Sequence, residues 1–369
     1  MKKINYQTIQ FSPASWRGVR GGFIIVIFLI TLTSFQKAFA NAAQPGIWNA
    51  GGTVFTMLYP EDSLTFKKVQ MQQERIYIQL YKGYAVVKGT YLFRNTSKET
   101  LNFKMGYPVN GIYYGGGIDL NEVTLDSLSS FKIKANDSWL PLLKENHPEL
   151  NNDYKSPIPS GDNWTVWQMT FAPEGTQTIE VYFIVNTNNA QVRQGYNAEQ
   201  RNAFIYLLES GSVWKNPIEK GNFYVQLMDG LTPENINGIS QGFGFRYNET
   251  HKLYAGAKAN FSPTPKDNLV ITYHEHNEHF MFDKALVQTE NLFSKIDEMS
   301  QLPLETLTYT EVQTGDPYEV ESTFLGAFPG LLTLFVVFAP FIIGFIVVVI
   351  IIWAVVKWIR IRKRKNKGI

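Results

Sequence analysis

The sequence predicts a mainly β protein: an antiparallel β-sandwich ectodomain, as one or two sandwiches, between an N-terminal signal segment and one C-terminal transmembrane helix. Three observations predict this fold. The centre of the chain consists of short alternating segments separated by Gly, Asn and Pro turns, which is typical of β-sandwiches. A basic leader and an apolar stretch come near the N-terminus. Residues 322–356 carry no charge and are long enough to span a membrane as a helix.

The first 40 residues have the pattern of a secretory signal peptide. Basic residues precede the apolar stretch 21–32, and Ala38-Phe39-Ala40 has the small-x-small pattern that signal peptidase recognises. We expect cleavage after Ala40. An uncleaved signal anchor is the alternative, and both place the central region outside the cytoplasm.

Residues 41–190 are predicted to form the first β-sandwich domain, and residues 191–283 a second β domain or an extension of the first. The clearest alternation is Arg75–Tyr81, in which the even-numbered residues are apolar. Lys82-Gly83 is a two-residue turn, after which Tyr84–Arg94 returns as a second strand. Further strands are predicted at 101–105, Asn163–Phe171, Thr178–Asn186, Ala203–Leu208, Gly221–Met228 and Asn268–His274.

Residues 284–321 are predicted to form a short helix and a stalk. Apolar residues recur with helical spacing from Lys284 to Ser300, and Pro303 ends the pattern. The following residues, 301–321, are rich in Thr, Glu and Pro. We expect them to hold the globular part away from the membrane.

Residues 329–356 are predicted to be the transmembrane helix, and residues 357–369 a basic cytoplasmic tail. Seven Lys and Arg residues follow Val356, with no acidic residue among them. Positive flanks stay in the cytoplasm, so the C-terminus is expected inside and everything before Ser322 outside. The predicted location is the bacterial cell membrane, with the lipid bilayer as a partner.

Charge and cysteine content exclude several classes of function. Twelve of the 34 Lys and Arg residues lie outside 41–321 and all 32 acidic residues lie within it, so this region has a net charge of −10. An acidic ectodomain repels phosphate backbones, which argues against nucleic-acid binding. The chain has no cysteine, which excludes disulfides, Cys-zinc sites and thiol nucleophiles. A cysteine-free exported domain of this size favours a bacterial origin.

The densest group of potentially reactive side chains is His274-Glu275-His276-Asn277-Glu278-His279. On a strand, His274 and His276 would share a face and could bind one divalent metal ion, with Glu278 completing the site. This predicts either a metal-dependent hydrolase or a metal carrier. The alternative is a polar strand end that enters a loop, and we favour that interpretation.

Two other patterns suggest chemistry less specifically. Gly238-Ile239-Ser240-Gln241-Gly242 matches a hydrolase nucleophile elbow, and Asp267 and His274 follow in the right order. The elbow requires a helix after the serine, whereas the following residues are typical of a strand. A cluster of tryptophans could instead stack on sugars, as in a carbohydrate-binding module, although core packing explains such residues more often. These are Trp139, Trp164 and Trp167.

The strand-rich region carries a resemblance to a known group. Phe93-Arg94-Asn95-Thr96 and Met105-Gly106-Tyr107-Pro108, with the later stretch Tyr206–Ile218, resemble an uncharacterised family of exported bacterial β-sandwich proteins. The first piece is more distantly similar to the vault/inter-alpha-trypsin (VIT) fold. The resemblance implies a β-sandwich ectodomain and implies no activity.

The sequence therefore predicts a non-enzymatic, single-pass membrane protein whose ectodomain binds an envelope protein or a glycan. No cofactor is expected.

Overall fold

The computed structural model describes residues 46–54, 63–108, 122–125, 128–145, 164–195, 197–208, 211, 214, 215, 217–321 and 324–365. The predicted signal segment 1–40 lies outside these residues. Within them the chain is mainly β, as predicted, and one long apolar helix ends it.

The elements follow in chain order. The strands are β1 (Gly46–Val54), β2 (Val69–Tyr81), β3 (Tyr84–Asn95), β4 (Leu101–Pro108), β5 (Glu122–Leu125), β6 (Leu128–Ala135), β7 (Ser138–Trp139), β8 (Leu143–Glu145), β9 (Trp164–Phe171), β10 (Thr176–Asn186), β11 (Ala190–Gln194), β12 (Asn197–Leu207), β13 (Ile218–Leu227), β14 (Ile236–Ile239), β15 (Arg246–Asn248), β16 (Leu253–Phe261), β17 (Leu269–Glu275) and β18 (Thr310–Glu311). The helices are α1 (Ser63–Phe66), α2 (Phe282–Leu286), α3 (Thr289–Ser300) and α4 (Phe324–Lys365).

The strands of the described residues form three sheets. A nine-stranded sheet has the order β18-β15-β16-β13-β2-β3-β10-β6-β7, and a six-stranded sheet the order β14-β17-β12-β11-β1-β5. A three-stranded sheet has the order β4-β9-β8. The predicted hairpin at Lys82-Gly83 is present, and β2 and β3 pair antiparallel on either side of it.

The prediction of antiparallel sheets holds for most of the described strand pairs but not for all of them. β2 pairs parallel with β13, and β1 pairs parallel with both β12 and β5. Parallel neighbours need a long connection between them, and here 136 residues separate the end of β2 from the start of β13. Alternation along a strand reports which face is buried, but it carries no information about the direction of the neighbouring strand.

Each strand predicted from alternation is present, with ends that differ by up to six residues. The predicted helix 284–300 consists of two helices, α2 and α3, because the chain turns at Val287 and Gln288.

All three sheets contribute to one hydrophobic core. From β2 come Ile76, Ile78 and Leu80, whose side chains define the inner face of the nine-stranded sheet. The largest fully buried side chains from the other sheets include Phe171, Phe204, Tyr206 and Tyr273. The hydroxyls of Tyr91 and Tyr206 are 2.8 Å apart and join the two larger sheets across this core.

Strands from both sides of residue 190, the predicted domain boundary, lie in the same sheets. β11 begins at Ala190, and β2 and β13 are neighbours in the nine-stranded sheet. The strand pairing is therefore continuous across this boundary.

The outer face of the nine-stranded sheet is covered by α3. Tyr77, Tyr182 and Tyr224 project from this face, opposite to the core residues of the same strands. Leu292, Phe293, Ile296 and Met299 of α3 pack against this tyrosine-rich surface. Their spacing places them on one side of the helix, as the sequence indicates.

The predicted stalk was wrong, because residues 301–321 pack against the body along their whole length. We call these residues the closing segment. Leu304 and Val320 are buried, and β18 pairs with β15 at the edge of the nine-stranded sheet. Thr272 Oγ1 then donates to the carbonyl of Pro317 at 3.1 Å, on the six-stranded sheet. The polar composition of the closing segment suggested a solvated chain. A few buried apolar residues nevertheless hold this segment against the body.

Helix α4 is 42 residues long and contains the predicted span 329–356. Within the described residues it is the one helix that is long and apolar enough to cross a membrane. Its part Phe335–Arg364 is not buried against the rest of the protein. At its basic end, Lys357 Nζ lies 4.8 Å from the ring centre of Trp353, and the Arg362 guanidinium 4.8 Å from that of Trp358. Such aromatic–cation pairs are typical of a membrane–water interface.

Candidate ligand groove on the outer face of the nine-stranded sheet

An open cavity of about 450 Å³ lies between the outer face of the nine-stranded sheet and the closing segment. We call it the Glu305 groove. Its lining includes Lys220, Asn222, Tyr224, Phe243, Arg246, Ala257, Leu304, Glu305 and Tyr309. This volume is within the range of sites that hold small molecules.

Strand β13 supplies the polar side of the groove through its alternation. Lys220, Asn222 and Tyr224 project outward, whereas Phe223 and Val225 enter the core. Both faces of β13 are covered, so nearly all of its residues are at least partly buried. Only its polar residues indicate which side faces the groove.

The Glu305 carboxylate lies at the centre of the groove. Its Oε1 atom is 3.1 Å from Lys220 Nζ, 3.3 Å from Asn222 Nδ2 and 3.8 Å from an Arg75 guanidinium nitrogen. The hydrogen bond from Lys220 is the main cause that lowers the pKa of Glu305, and the neighbouring charges of Lys220 and Arg75 add to it. Glu305 is therefore an anion at neutral pH.

Arg246 supplies a second cation to the groove. Its guanidinium lies 5.6 Å from the ring centre of Tyr309. Among the described residues Arg246 forms no ion pair within 4.0 Å. The Tyr309 hydroxyl donates to the carbonyl of Leu304 at 2.7 Å, which holds the closing segment in the turn that presents Glu305.

A smaller cavity of about 240 Å³ adjoins the groove. It is lined by Arg75, Tyr77, Tyr224, Leu304, Glu305 and Thr306, so Tyr224, Leu304 and Glu305 line both cavities. The Tyr77 and Tyr224 rings stack with centres 5.5 Å apart and form a common aromatic floor. Burial is the main cause that raises the pKa of Tyr224, so its hydroxyl stays neutral.

A second ion cluster lies on the same sheet face, under α3. Lys88 Nζ is 2.7 Å from Asp297 Oδ1 and 3.1 Å from Glu180 Oε1, and it donates to Ser300 Oγ at 3.2 Å. Tyr182 donates its hydroxyl proton to the same Asp297 oxygen at 2.8 Å. We call this the Lys88 cluster. It fastens α3 to the sheet, and its lysine side chain is only 8% exposed.

A fourth carboxyl, Glu74, has no such cation among the described residues. It lies on the inner face of β2, 1% exposed, and its Oε1 atom has no hydrogen-bond partner. Burial raises the pKa of Glu74 to about 8. The side chain is therefore mostly protonated at neutral pH.

The histidine-rich segment does not assemble the predicted metal site. His274 has a φ of +47°, at a register shift between β12 and β17, and the strand ends at Glu275. The alternation that was to align His274 with His276 is therefore broken. His276 Nδ1 lies 2.7 Å from the carbonyl of Asn188, and His274 Nδ1 2.9 Å from that of Glu275.

In the described part of the chain, no group of three or more His, Asp or Glu residues is placed to hold a metal ion. Glu278 lies in the turn after the strand, where it does not complete a site with His274 and His276. The interpretation as a polar strand end fits this geometry.

The serine pattern does not form a nucleophile elbow. Ser240 Oγ accepts a hydrogen bond from the backbone N–H of Val270 at 2.8 Å, and β15 rather than a helix follows. Asp267 pairs with Lys258 Nζ at 2.6 Å. Among the described residues, no hydrogen bond joins Ser240, Asp267 and His274.

The three tryptophans do not form one exposed platform. Trp167 is buried in the core. Trp139 is 57% exposed and packs near Tyr182, with Lys132 Nζ 5.8 Å from its ring centre. The side chain of Trp164 lies outside the described set.

Sequence reasoning missed the groove residues. The outward polar positions of β13, Lys220 and Asn222, were a usable signal, because a buried strand seldom carries them without a partner. Glu305 gave no comparable signal, since it lies in a segment whose composition indicated a stalk.

Comparison with known proteins finds only distant similarity to solved structures. No family model and no curated protein matches it. Among solved structures, a candidate nutrient-binding protein from Legionella pneumophila is 14% identical over 63% of this chain and 73% of its own, with a TM-score of 0.41.

Two peptidases are also similar in part. A two-domain M1 zinc metallopeptidase with bound L-arginine is 10% identical over 60% of this chain and 45% of its own, with a TM-score of 0.30. Yeast LTA4 hydrolase with bestatin is 10% identical over 59% of this chain and 31% of its own, also with a TM-score of 0.30. This chain spans less than half of either peptidase, and likenesses at these scores carry no argument about activity.

Proposed function

We propose that this protein is a single-pass bacterial membrane protein whose β-sandwich ectodomain binds an envelope ligand, a protein segment or a glycan, without chemical turnover. The Glu305 groove is the binding site. The observation that carries the proposal is an open cavity of about 450 Å³ lined by charged and aromatic side chains on a rigid sheet. Binding sites commonly combine an apolar wall with a few convergent polar groups in this way.

The described chemistry favours binding over catalysis. The groove carboxyl has its pKa lowered by Lys220, so it is a poor proton donor at neutral pH. The serine and histidine patterns that suggested hydrolysis are engaged in backbone contacts.

The experiment compares tryptophan substitutions of two exposed alanines on different sheets. Ala257 lines the groove, whereas Ala198 is exposed on β12 of the six-stranded sheet. The full-length wild type, Ala257→Trp and Ala198→Trp are purified from the native membrane with surrounding lipid, and the molecules that co-purify are quantified by mass spectrometry. We expect the wild type and Ala198→Trp to retain a ligand, unchanged in mass, and Ala257→Trp to lose it. Equal retention by both variants would refute the groove as the binding site.

The topology is tested separately with reporter fusions. A reporter active only in the cytoplasm should be active after Ile369 and inactive after Glu321, because the basic residues follow the apolar span. The reverse pattern contradicts an external ectodomain.

A further inference from the structure

The groove already contains an anion that belongs to the protein. Lys220, Asn222 and Arg75 all approach a single oxygen, Glu305 Oε1. Asn222 is 5% exposed, so its amide is fixed by the surrounding sheet. Donors that converge on one oxygen form a site for an oxyanion, whichever molecule carries it.

Glu305 is held weakly in this position. Its side chain is 53% exposed, and the two cations that approach it are each 45% exposed. Ion pairs with this exposure contribute about 0–1 kcal/mol. Another anion can therefore replace the carboxylate at little cost, while Leu304 keeps the backbone of the turn in place.

The groove also has more positive charge than Glu305 neutralises. Three cations, Arg75, Lys220 and Arg246, line the two adjoining cavities with one described carboxylate, Glu305, between them. The rest of the ectodomain is acidic, so this local excess of positive charge attracts anions from solution. Arg246 lies opposite Glu311 on β18 but forms no ion pair with it within 4.0 Å, so its guanidinium can contact a second oxyanion or a second oxygen of the same group.

We infer that the part of the envelope ligand that enters the groove carries a carboxylate or a phosphate. Its anionic group takes the place of the Glu305 carboxylate on Lys220 and Asn222, and Arg246 contacts its far side. Glu305 is thus a built-in competitor that occupies the site when no ligand is bound. This inference rests on the proposed function and adds the chemical class of the ligand.

The test uses the full chain in phosphatidylcholine nanodiscs and isothermal titration calorimetry with D-galacturonate, inorganic phosphate and neutral D-galactose. We expect one or both anions to bind and D-galactose not to bind. Glu305→Gln should strengthen anion binding several-fold, because the competitor loses its charge. Lys220→Met should weaken it about tenfold or more, since a charge-assisted contact is lost.

Several outcomes would overturn the inference. Binding of D-galactose as tightly as D-galacturonate, or loss of anion binding in Glu305→Gln, would show that the ligand is not an anion that replaces Glu305. If neither anion binds, the inference also fails. The proposed function is judged independently, by whether Ala257→Trp loses the co-purified ligand.

A further arm distinguishes a free anion from a lipid headgroup. The titration is repeated in nanodiscs that contain phosphatidylglycerol. Weaker binding of the soluble anion there identifies the headgroup as the competing source, and unchanged binding identifies a free anion.

Discussion

Asp297 and Glu305 both reach from the C-terminal part of the body to lysines on the outer face of the nine-stranded sheet, but their surroundings differ. Asp297 contacts Lys88, whose side chain is 8% exposed and also meets Glu180, Ser300 and the ring of Tyr182. Glu305 contacts Lys220, which is 45% exposed and borders an open cavity.

The difference shows how one kind of contact serves two purposes. In the Lys88 cluster the lysine is enclosed by protein partners, so removing it leaves Asp297 without an ion-pair partner among the described residues and Glu180 with Lys134 alone. In the Glu305 groove solvent replaces any partner that leaves. The first arrangement stabilises the fold, and the second leaves a site that a ligand can enter.

The largest expected effect on stability concerns Glu74. Among the described residues this buried carboxyl has neither a cation nor solvent beside it. Its pKa is about 8 in the folded protein against 4.5 for an ordinary glutamate, so the folded state binds the proton more tightly than the unfolded chain. The contribution of Glu74 to the free energy of unfolding is therefore fully present below about pH 4.5, decreases as the pH rises and levels off above about pH 8. The total loss is on the order of 5 kcal/mol.

Glu74→Gln should remove most of this decline, because glutamine has no proton to lose. The measurement is thermal unfolding of the full chain in detergent, followed by far-UV circular dichroism across this pH range. Glu298→Gln, on the exposed side of α3, is the control and should retain the decline. Parallel curves for all three proteins would show that Glu74 is not responsible.

Removing the lysine of the buried cluster should come next in size. Lys88→Met keeps the length of the side chain, but Asp297 loses its cation and Glu180 keeps only that of Lys134, whose Nζ lies 3.5 Å from it. We expect a loss of about 3 kcal/mol in the free energy of unfolding. Denaturant titration of the full chain in detergent measures it, and a loss below 1 kcal/mol contradicts a stabilising role for this cluster.

The closing segment should show an intermediate effect at its far end. Val320 is 4% exposed and packs with side chains of the six-stranded sheet. Val320→Ala should cost about 2 kcal/mol, because two buried methyl groups are lost. Val287→Ala is the matched control, since Val287 is 88% exposed and should change stability little. Similar values for the two variants would mean that the closing segment is not fixed at Val320.

The smallest effect on stability is expected for Lys220→Met. Its lysine is half exposed, so the free energy of unfolding should change by less than about 0.5 kcal/mol. The same variant should weaken anion binding about tenfold or more in the calorimetric test above. A stability loss as large as that of Lys88→Met would show that the two clusters do not differ in the way described.

Local patterns in the sequence predicted much of the fold. Alternation located β2, β3 and β13, and helical spacing located the buried side of α3. Asn95 ends β3 with a local turn, in which its Oδ1 accepts a hydrogen bond from the backbone N–H of Ser97 at 2.9 Å. Each of these features depends on residues close together in the chain.

The groove depends on residues far apart, which no local pattern connects. Lys220 and Glu305 are 85 residues apart and meet because β13 lies next to β2 and because the closing segment returns across that sheet. The histidine-rich segment departs from regular alternation for a local reason: His274 adopts a positive φ and the strand ends one residue later, before His276. Bulges of this kind are not encoded by residue type alone.

The closing segment sets how far the ectodomain can move from the lipid. The backbone N–H of Glu321 donates to Glu199 on β12 at 2.7 Å, and helix α4 begins at Phe324. Three residue steps of fully extended chain cover only about 10 Å. Under the proposed topology the body therefore stays close to the bilayer surface and cannot search the space beyond it. A ligand of the groove must therefore come within one body diameter of the membrane.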